Sequence, residues 1–158
     1  GFIFSGTIAK NIALHEEKPD LKRLEEAAKI ACIDVFINRL PMKYNTKIGN
    51  AGIDLSGGQR QRILIARAVY RNPDFIFFDE ATSSLDANNE QKIMNNLRKF
   101  YKGKTVVIIA HRLSTVKDAD NIIVLDKGRL AEEGTHDSLV CQKGIYYCLV
   151  KNQLELGH

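Results

Sequence analysis

Four consecutive residues, Ser56-Gly57-Gly58-Gln59, stand directly before a run of apolar residues with helical spacing. The first N–H groups of a helix have no intrahelical partners and lie at the positive end of the helix dipole, so a helix start can bind an anion. Glycine lets a phosphate approach the backbone without interference from a Cβ atom, and serine adds a hydroxyl. The stretch predicts a phosphate-binding loop; the alternative is an ordinary helix N-cap and turn.

Two adjacent acids, Asp79 and Glu80, end an apolar run rich in aromatic residues, which is typical of a buried strand. Open α/β sheets bind ligands at the carboxyl ends of their strands. Because side chains alternate along a strand, the two acids can take different roles, one at Mg²⁺ and the other at the attacking water of a phosphate hydrolysis. The alternative is a helix N-cap or a pair of surface acids.

A histidine, His111, ends a second apolar run that starts at Lys104. A lone histidine is usually structural. If the two runs are neighbouring parallel strands, however, His111 and the acids after the first run face one crevice, which favours a role in the same site.

The tripeptide Gly103-Lys104-Thr105 matches the end of a Walker A box, but it is not predicted to bind phosphate. The box needs a glycine five residues before the Gly-Lys pair, and Arg98 stands there. A Walker A loop also follows a strand and opens a helix, whereas this tripeptide follows a predicted helix and opens a predicted strand. We interpret it as a turn exposed to solvent.

The elements that must position these groups alternate between helix and strand. Apolar spacing predicts one helix from Leu21, capped by Asp20, to near Leu40, and a second helix that begins after Gly58 and ends before Asn72-Pro73. Two strands, 74–80 and 104–111, flank a helix in 90–100; a hairpin around Lys127-Gly128 and a helical tail follow. This order predicts an α/β fold with a parallel sheet covered by helices.

Composition narrows the class of protein. The 158-residue chain carries a net charge of +4, but its basic residues are scattered, so charge does not favour nucleic-acid binding. The three cysteines, Cys32, Cys141 and Cys148, lack metal-site or disulfide-framework spacing and predict reduced thiols. No apolar run approaches the length of a membrane-spanning helix. The start, "GFIF" without Met, indicates a piece of a longer protein.

Four motifs together resemble the ATP-binding domain of ABC transporters, specifically of the exporter type. Leu55–Gln59 resembles the ABC signature, Phe75–Glu80 a Walker B strand with its glutamate, Ala81–Asp86 the D-loop, and the stretch beginning Ala110-His111 the H-loop. Their order and spacing agree, and the likeness extends over nearly the whole chain. It implies a P-loop NTPase-type core, with residues 12–72 as the helical signature subdomain and 73–158 as the C-terminal half of the core.

The resemblance also implies a role for each site residue. Ser56, Gly57, Gly58 and Gln59 would contact the γ-phosphate and ribose side of ATP held by a second, head-to-tail domain. Asp79 would hold Mg²⁺, Glu80 would act as general base, His111 would polarise the attacking water, and Asp86 would communicate across the dimer. The family's Walker A and Q-loop would precede Gly1, so the chain would be N-terminally truncated. Asn50 replaces an acid of the exporter pattern.

The function implied is coupling of ATP binding and hydrolysis to substrate export across a membrane. The partners would be a second nucleotide-binding domain and a transmembrane domain, without nucleic acid, and the site of action the cytoplasmic face of the cell membrane. The chain alone, lacking Walker A, would be inactive. Two alternatives are a non-transport ABC ATPase and a folded piece without activity of its own.

Overall fold

The computed structural model of the chain describes residues 1–14, 16–49, 52–79, 87–109 and 116–155. These residues form two compact units, Gly1–Val107 and Ile108–His158. In chain order the elements are β1 (Gly6–Thr7), α1 (Ile8–Ala13), α2 (Leu21–Ile30), α3 (Asp34–Arg39), a 3-10 helix (Lys43–Asn45), β2 (Lys47–Ile48), α4 (Gly57–Arg71), β3 (Phe75–Asp79), α5 (Ala87–Tyr101), β4 (Thr105–Ile109), β5 (Ile122–Asp126), β6 (Arg129–Gly134), α6 (His136–Gln142) and α7 (Ile145–Glu155). The α/β class is confirmed.

The helix predicted from Leu21 to near Leu40 is wrong as a single element. Asp20 does cap its start, because the carboxylate accepts the Lys22 amide at 2.8 Å. The helix then stops at Ile30 and α3 restarts at Asp34. Cys32 adopts a left-handed φ of 54°, and the Ile33 amide donates to the Ala28 carbonyl at 2.9 Å. This is a Schellman ending. The sequence does not predict it, because the left-handed position is occupied by a cysteine and not by the glycine that is usual in this motif.

The helix predicted after Gly58 is confirmed as α4, which begins two residues earlier, at Gly57, and ends at Arg71. Asn72 closes it in the left-handed conformation, as asparagine often does after a helix. The start of α2 lies against the end of α4: the Asp20 amide donates to the Tyr70 hydroxyl at 3.1 Å, and Arg23 Nη2 donates to the Tyr70 carbonyl at 2.6 Å.

Strand β3 is half-buried, whereas the sequence predicted full burial. Ile76 and Phe78 are 4% and 8% exposed, while Phe75 and Phe77 are 68% and 77% exposed. The buried face packs on α5, where the rings of Phe78 and Tyr101 lie 5.5 Å apart. The prediction failed because successive side chains point to opposite faces of a sheet, and among the described residues only one face is covered. β3 pairs with β4, which was predicted to run on to His111; residues 110–115 lie outside the described range.

The second unit contains the predicted hairpin, which is confirmed. β5 and β6 are antiparallel, and Lys127 and Gly128 both have positive φ at the turn. Its core consists of five side chains, each less than 10% exposed: Ile122, Val124, Leu139, Tyr146 and Val150. Glu132 on β6 caps α7 by accepting the amides of Ile145 at 2.6 Å and Tyr146 at 2.9 Å.

The three cysteines are free thiols. Among the helices of the described ranges, none has both the length and the apolar character needed to cross a bilayer.

Candidate functional site

The predicted phosphate-binding loop is a reciprocally bonded helix start. Ser56 lies at the N-cap of α4, its Oγ accepts the Gln59 amide at 3.2 Å, and Gln59 Oε1 accepts the Ser56 amide at 2.9 Å. This capping box fixes the entry angle of the chain and the orientation of both side chains. The structure thus contains the ordinary cap that the sequence left open as an alternative.

Capping still leaves donors at the loop. The Arg60 amide bonds to the Ser56 carbonyl at 3.0 Å and the Gln59 amide bonds to Ser56 Oγ, whereas Gly57 and Gly58 precede the first residue that can donate within the helix. Gly57 is exposed and Gly58 is partly exposed. The Ser56 hydroxyl hydrogen and the Gln59 amide hydrogens are also not used by the capping box. A helix start of this kind presents convergent N–H groups to an anion.

The loop is fixed to the protein on its upstream side. Leu55 is 5% exposed and packs in the core. Arg60 turns back over the loop: its Nε donates to the Leu55 carbonyl at 3.0 Å and its Nη2 to Asp54 Oδ1 at 2.6 Å. An exposed ion pair contributes less than about 1 kcal/mol, so the contact orients the loop more than it stabilises the fold. Sequence reasoning missed Arg60; its place in the first turn of a helix with an acid six residues earlier was the available signal.

The segment before the loop requires a glycine. A Cβ atom on Gly52 would lie 2.1 Å from the Lys47 carbonyl oxygen, far inside van der Waals contact. The close approach comes from two backbone bonds, Gly52 amide to Gly49 carbonyl and Ile53 amide to Lys47 carbonyl, each 3.0 Å long. This packing ties the segment before the predicted phosphate-binding loop to β2. Asn50, the predicted departure from the exporter pattern, lies outside the described residues.

Of the other predicted site residues, only the backbone of Asp79 is described. Asp79 is the last residue of β3, as the sequence predicted, and the position of its side chain lies outside the described part. Glu80, Asp86 and His111 also fall outside the described ranges. Their convergence with the loop at Ser56 therefore stays a prediction.

Lys104, the lysine of the tripeptide that resembles the end of a Walker A box, contacts side chains of this chain. Its Nζ bonds to Asn72 Oδ1 and lies 3.9 Å from the centroid of the Phe100 ring. Gly103, the residue before Lys104, has a φ of 80°, and β4 begins at Thr105, the residue after Lys104. The structure therefore confirms a turn that opens a strand.

A surface cavity of about 570 Å³ is lined by none of the predicted site residues that the structure describes. It is formed by α1, the start of α2 and the 3-10 helix, and Tyr44 is one of the residues that line it. Burial, followed by the negative charges of Glu25 and Asp34, raises the pKa of Tyr44 to about 12. The residues that line this cavity do not include those of the predicted phosphate-binding loop.

A polar centre that sequence reasoning missed joins the N-terminal segment to α4. Asn11 is 1% exposed; its Oδ1 accepts the Phe4 amide at 2.9 Å, and its Nδ2 donates to the carbonyls of Phe4 at 3.0 Å and Thr7 at 3.1 Å. Arg67 on α4 donates to the Asn11 carbonyl at 2.7 Å and to the Phe2 carbonyl at 3.1 Å. Burial lowers the pKa of the Arg67 guanidinium. The signal was an asparagine at helical spacing between Ile8 and Ile12, on the apolar face of α1.

Comparisons with known proteins agree with the family that the sequence predicts. A family model described as ABC transporter matches residues 4–83, about half of the chain. The chain is 50% identical over 154 residues to the Toxin RTX-III translocation ATP-binding protein of Actinobacillus pleuropneumoniae, covering 97% of this chain and 21% of that protein. It is 46% identical over 151 residues to ABC transporter B family member 3 of Dictyostelium discoideum, covering 96% of this chain and 10% of that protein.

A solved structure, that of a bacterial Atm1-family ABC exporter with ATP bound, superposes with a TM-score of 0.90 at 44% identity. The superposition covers 98% of this chain and 27% of that one. The chain thus spans between 10% and 27% of the length of these three proteins. With the signature loop at the start of α4 and a family model matching half of its residues, the chain belongs to the ABC transporter family.

Proposed function

We propose that this chain is part of the nucleotide-binding domain of an ABC exporter, in which ATP binding and hydrolysis drive export of a substrate across a membrane. The observation that carries the proposal is the exposed start of α4, where Gly57 and Gly58 present N–H groups that the capping box leaves unused. Two similar proteins, a toxin translocation ATP-binding protein and an Atm1-family exporter with ATP bound, support an ATP-dependent export function.

In this proposal the loop Ser56–Gln59 completes a site on a second nucleotide-binding domain. The phosphates of the ATP that the loop contacts are cradled by the Walker A loop of that second domain. The glycine amides and the Ser56 hydroxyl bind the γ-phosphate, and Gln59 reaches towards the ribose. A head-to-tail pair of domains then forms two such shared sites.

The chemistry is assigned to the strand ends. Asp79 is at the end of β3, and a carboxylate oxygen is a ligand type that Mg²⁺ prefers; bound there, the ion would neutralise charge on the phosphates. Glu80 accepts a proton from the attacking water, and His111 orients that water against the γ-phosphate. Asp86 transmits the state of the site across the domain interface.

The same proposal assigns the organisation of the protein around the chain. Residues 12–72 form the helical subdomain that carries the signature, and 73–158 belong to the catalytic core. A transmembrane domain receives the movement that ATP drives, which places the nucleotide-binding domain at the cytoplasmic face of the cell membrane.

Substitution of Glu80 tests the proposal in the full-length exporter. Glu80→Gln keeps the size of the side chain and removes its ability to take a proton, so we expect ATP turnover to fall by about 100-fold or more. ATP-induced association of the two domains should persist, because binding does not need the base. Glu26→Gln, an exposed acid on α2, is the matched control and should leave turnover within about twofold.

Two results would contradict the proposal. Near-normal turnover in Glu80→Gln would contradict the general-base role of Glu80. A wild-type exporter that hydrolyses no ATP would contradict the proposed function as a whole.

A further inference from the structure

A short turn between α2 and α3, Ala31–Ile33, is the meeting point of four helices, because α4 and α5 also contact it. We name it the Cys32 turn. In its Schellman geometry the Ile33 amide bonds to Ala28 and the Cys32 amide bonds to Lys29 at 3.1 Å. The carbonyl of Ile30, the last residue of α2, is one of those that a helix end leaves without an intrahelical donor. A donor from outside α2 can therefore attach to the Cys32 turn.

Two other helices supply donors to this turn. Arg62 on α4 donates from Nη1 to the Cys32 carbonyl at 3.1 Å. Asn96 on α5 donates from Nδ2 to the Ile30 carbonyl at 3.2 Å and to the Lys29 carbonyl at 3.5 Å, and the same nitrogen lies 3.4 Å from Cys32 Sγ. Burial raises the pKa of the Cys32 thiol, which favours its neutral form beside these groups.

The two donors belong to helices that begin next to the predicted phosphate chemistry. Arg62 lies five residues after Gly57, the first residue of α4 and part of the signature loop. Helix α5 begins at Ala87, directly after Asp86. One turn thus joins the helix that follows the signature to the helix that follows the D-loop, within the same compact unit.

Apolar packing alone does not fix how these helices are aligned. Ile93 and Leu97 on α5, and Ile63 on α4, are fully buried, but contacts between apolar side chains are non-directional. A hydrogen bond from an asparagine at an otherwise apolar seam selects one register, because a sliding helix would leave its polar group unpaired. Asn96 is the polar residue in this position on α5, since it falls between the buried positions 93 and 97.

We propose that Asn96 is a positioning residue that holds α5 in register with α4 through the Cys32 turn, so that the starts of the two helices keep the relative placement that ATP turnover requires. The inference rests on the proposed function. Asn96 acts on the nucleotide only through the two helices and contacts neither ATP nor the reacting water.

The test is steady-state ATPase kinetics of the full-length exporter with Asn96→Leu, which keeps the approximate volume of the side chain and removes the donor. We expect kcat to fall about fivefold, as for loss of one hydrogen bond that contributes to the transition state but not to ATP binding, with KM for ATP within about twofold of wild type. Asn95→Leu is the matched control because Asn95 is the exposed neighbour on the same helix, and its kcat should equal that of wild type.

A second measurement separates positioning from simple loss of folded protein. Hydrogen exchange of the full-length exporter without nucleotide should be faster at the α5 amides in Asn96→Leu, while the amides of the β5–β6 hairpin keep their wild-type rates. Uniformly faster exchange, with kcat falling in proportion to the folded fraction, would overturn the inference in favour of a structural role.

The outcomes also separate this inference from the proposed function. If wild type hydrolyses ATP, Glu80→Gln abolishes turnover and Asn96→Leu has normal kcat, the positioning role is overturned and the proposed function stands. If wild type hydrolyses no ATP, both are overturned.

Discussion

Replacement of Asn11 by leucine should destabilise the first compact unit strongly. Asn11 is 1% exposed, and its side chain makes three hydrogen bonds of 2.9 to 3.1 Å to the backbone of Phe4 and Thr7. Leucine has nearly the same volume, so the change creates little cavity. It removes the amide group and leaves the Phe4 N–H and the Thr7 carbonyl to find other partners.

The expected cost follows from the number of bonds. Each neutral hydrogen bond contributes about 1 kcal/mol net, so three of them sum to about 3 kcal/mol. Arg67 Nη2 also lies 3.3 Å from Asn11 Oδ1, but Arg67 keeps its bonds to the carbonyls of Asn11 and Phe2, so we add nothing for it. The gain from burying an apolar side chain lowers the total, and we expect a loss of about 2–3 kcal/mol in the free energy of unfolding.

Urea denaturation followed by far-ultraviolet circular dichroism measures this loss, since the chain contains no tryptophan for fluorescence. With an m-value near 2 kcal/mol/M, the midpoint should fall by about 1–1.5 M at unchanged m. Asn95→Leu on the exposed face of α5 is the control and should change the free energy by less than about 0.5 kcal/mol. An Asn11→Leu midpoint equal to that of the control would refute the idea that this polar centre stabilises the unit.

Three further outcomes are expected. Gly58→Ala should raise the free energy of unfolding by up to about 1 kcal/mol, because alanine has the higher helix propensity. The same substitution should lower ATP turnover of the exporter, because the added Cβ atom crowds the phosphate; unchanged turnover would contradict phosphate binding at Gly58. The pKa of Tyr44 is raised to about 12 from 10.0, so the folded state keeps a proton that the unfolded chain releases. Its stabilisation is complete below pH 10 and is lost as the pH rises towards 12; unfolding of Tyr44→Phe should therefore depend less on pH in that window. Finally, the 158-residue chain alone should bind ATP weakly, because it has no Walker A sequence; micromolar affinity by calorimetry would contradict this.

Local features of the sequence predicted local structure well. The capping box at Ser56 and Gln59 needs only residues three apart, and it formed at the predicted helix start. Asp20 capped α2, and the Lys127-Gly128 turn produced the antiparallel hairpin. In each case the stabilising contact is made within a few residues, so no knowledge of distant parts of the chain was required.

Predictions that depended on distant parts of the chain were less complete. Periodicity extended one helix across Cys32, although burial of Ile33 and the Schellman bonds end it there. The alternating exposure of Phe75 and Ile76 on β3 depends on which face another element covers. Propensity and period do not contain that information.

The sequence by itself determined the family resemblance, the place of the signature loop at a helix start, and the order of helices and strands, because these rest on contiguous residues. Only the tertiary structure decided which polar side chains join distant segments. Asn11 meets Arg67 across 56 positions, and Asn96 meets the Ile30 carbonyl across 66. These contacts exist because folding brings a partly buried donor within reach of a backbone carbonyl that has lost water, and an unpaired group there costs more than the bond itself contributes.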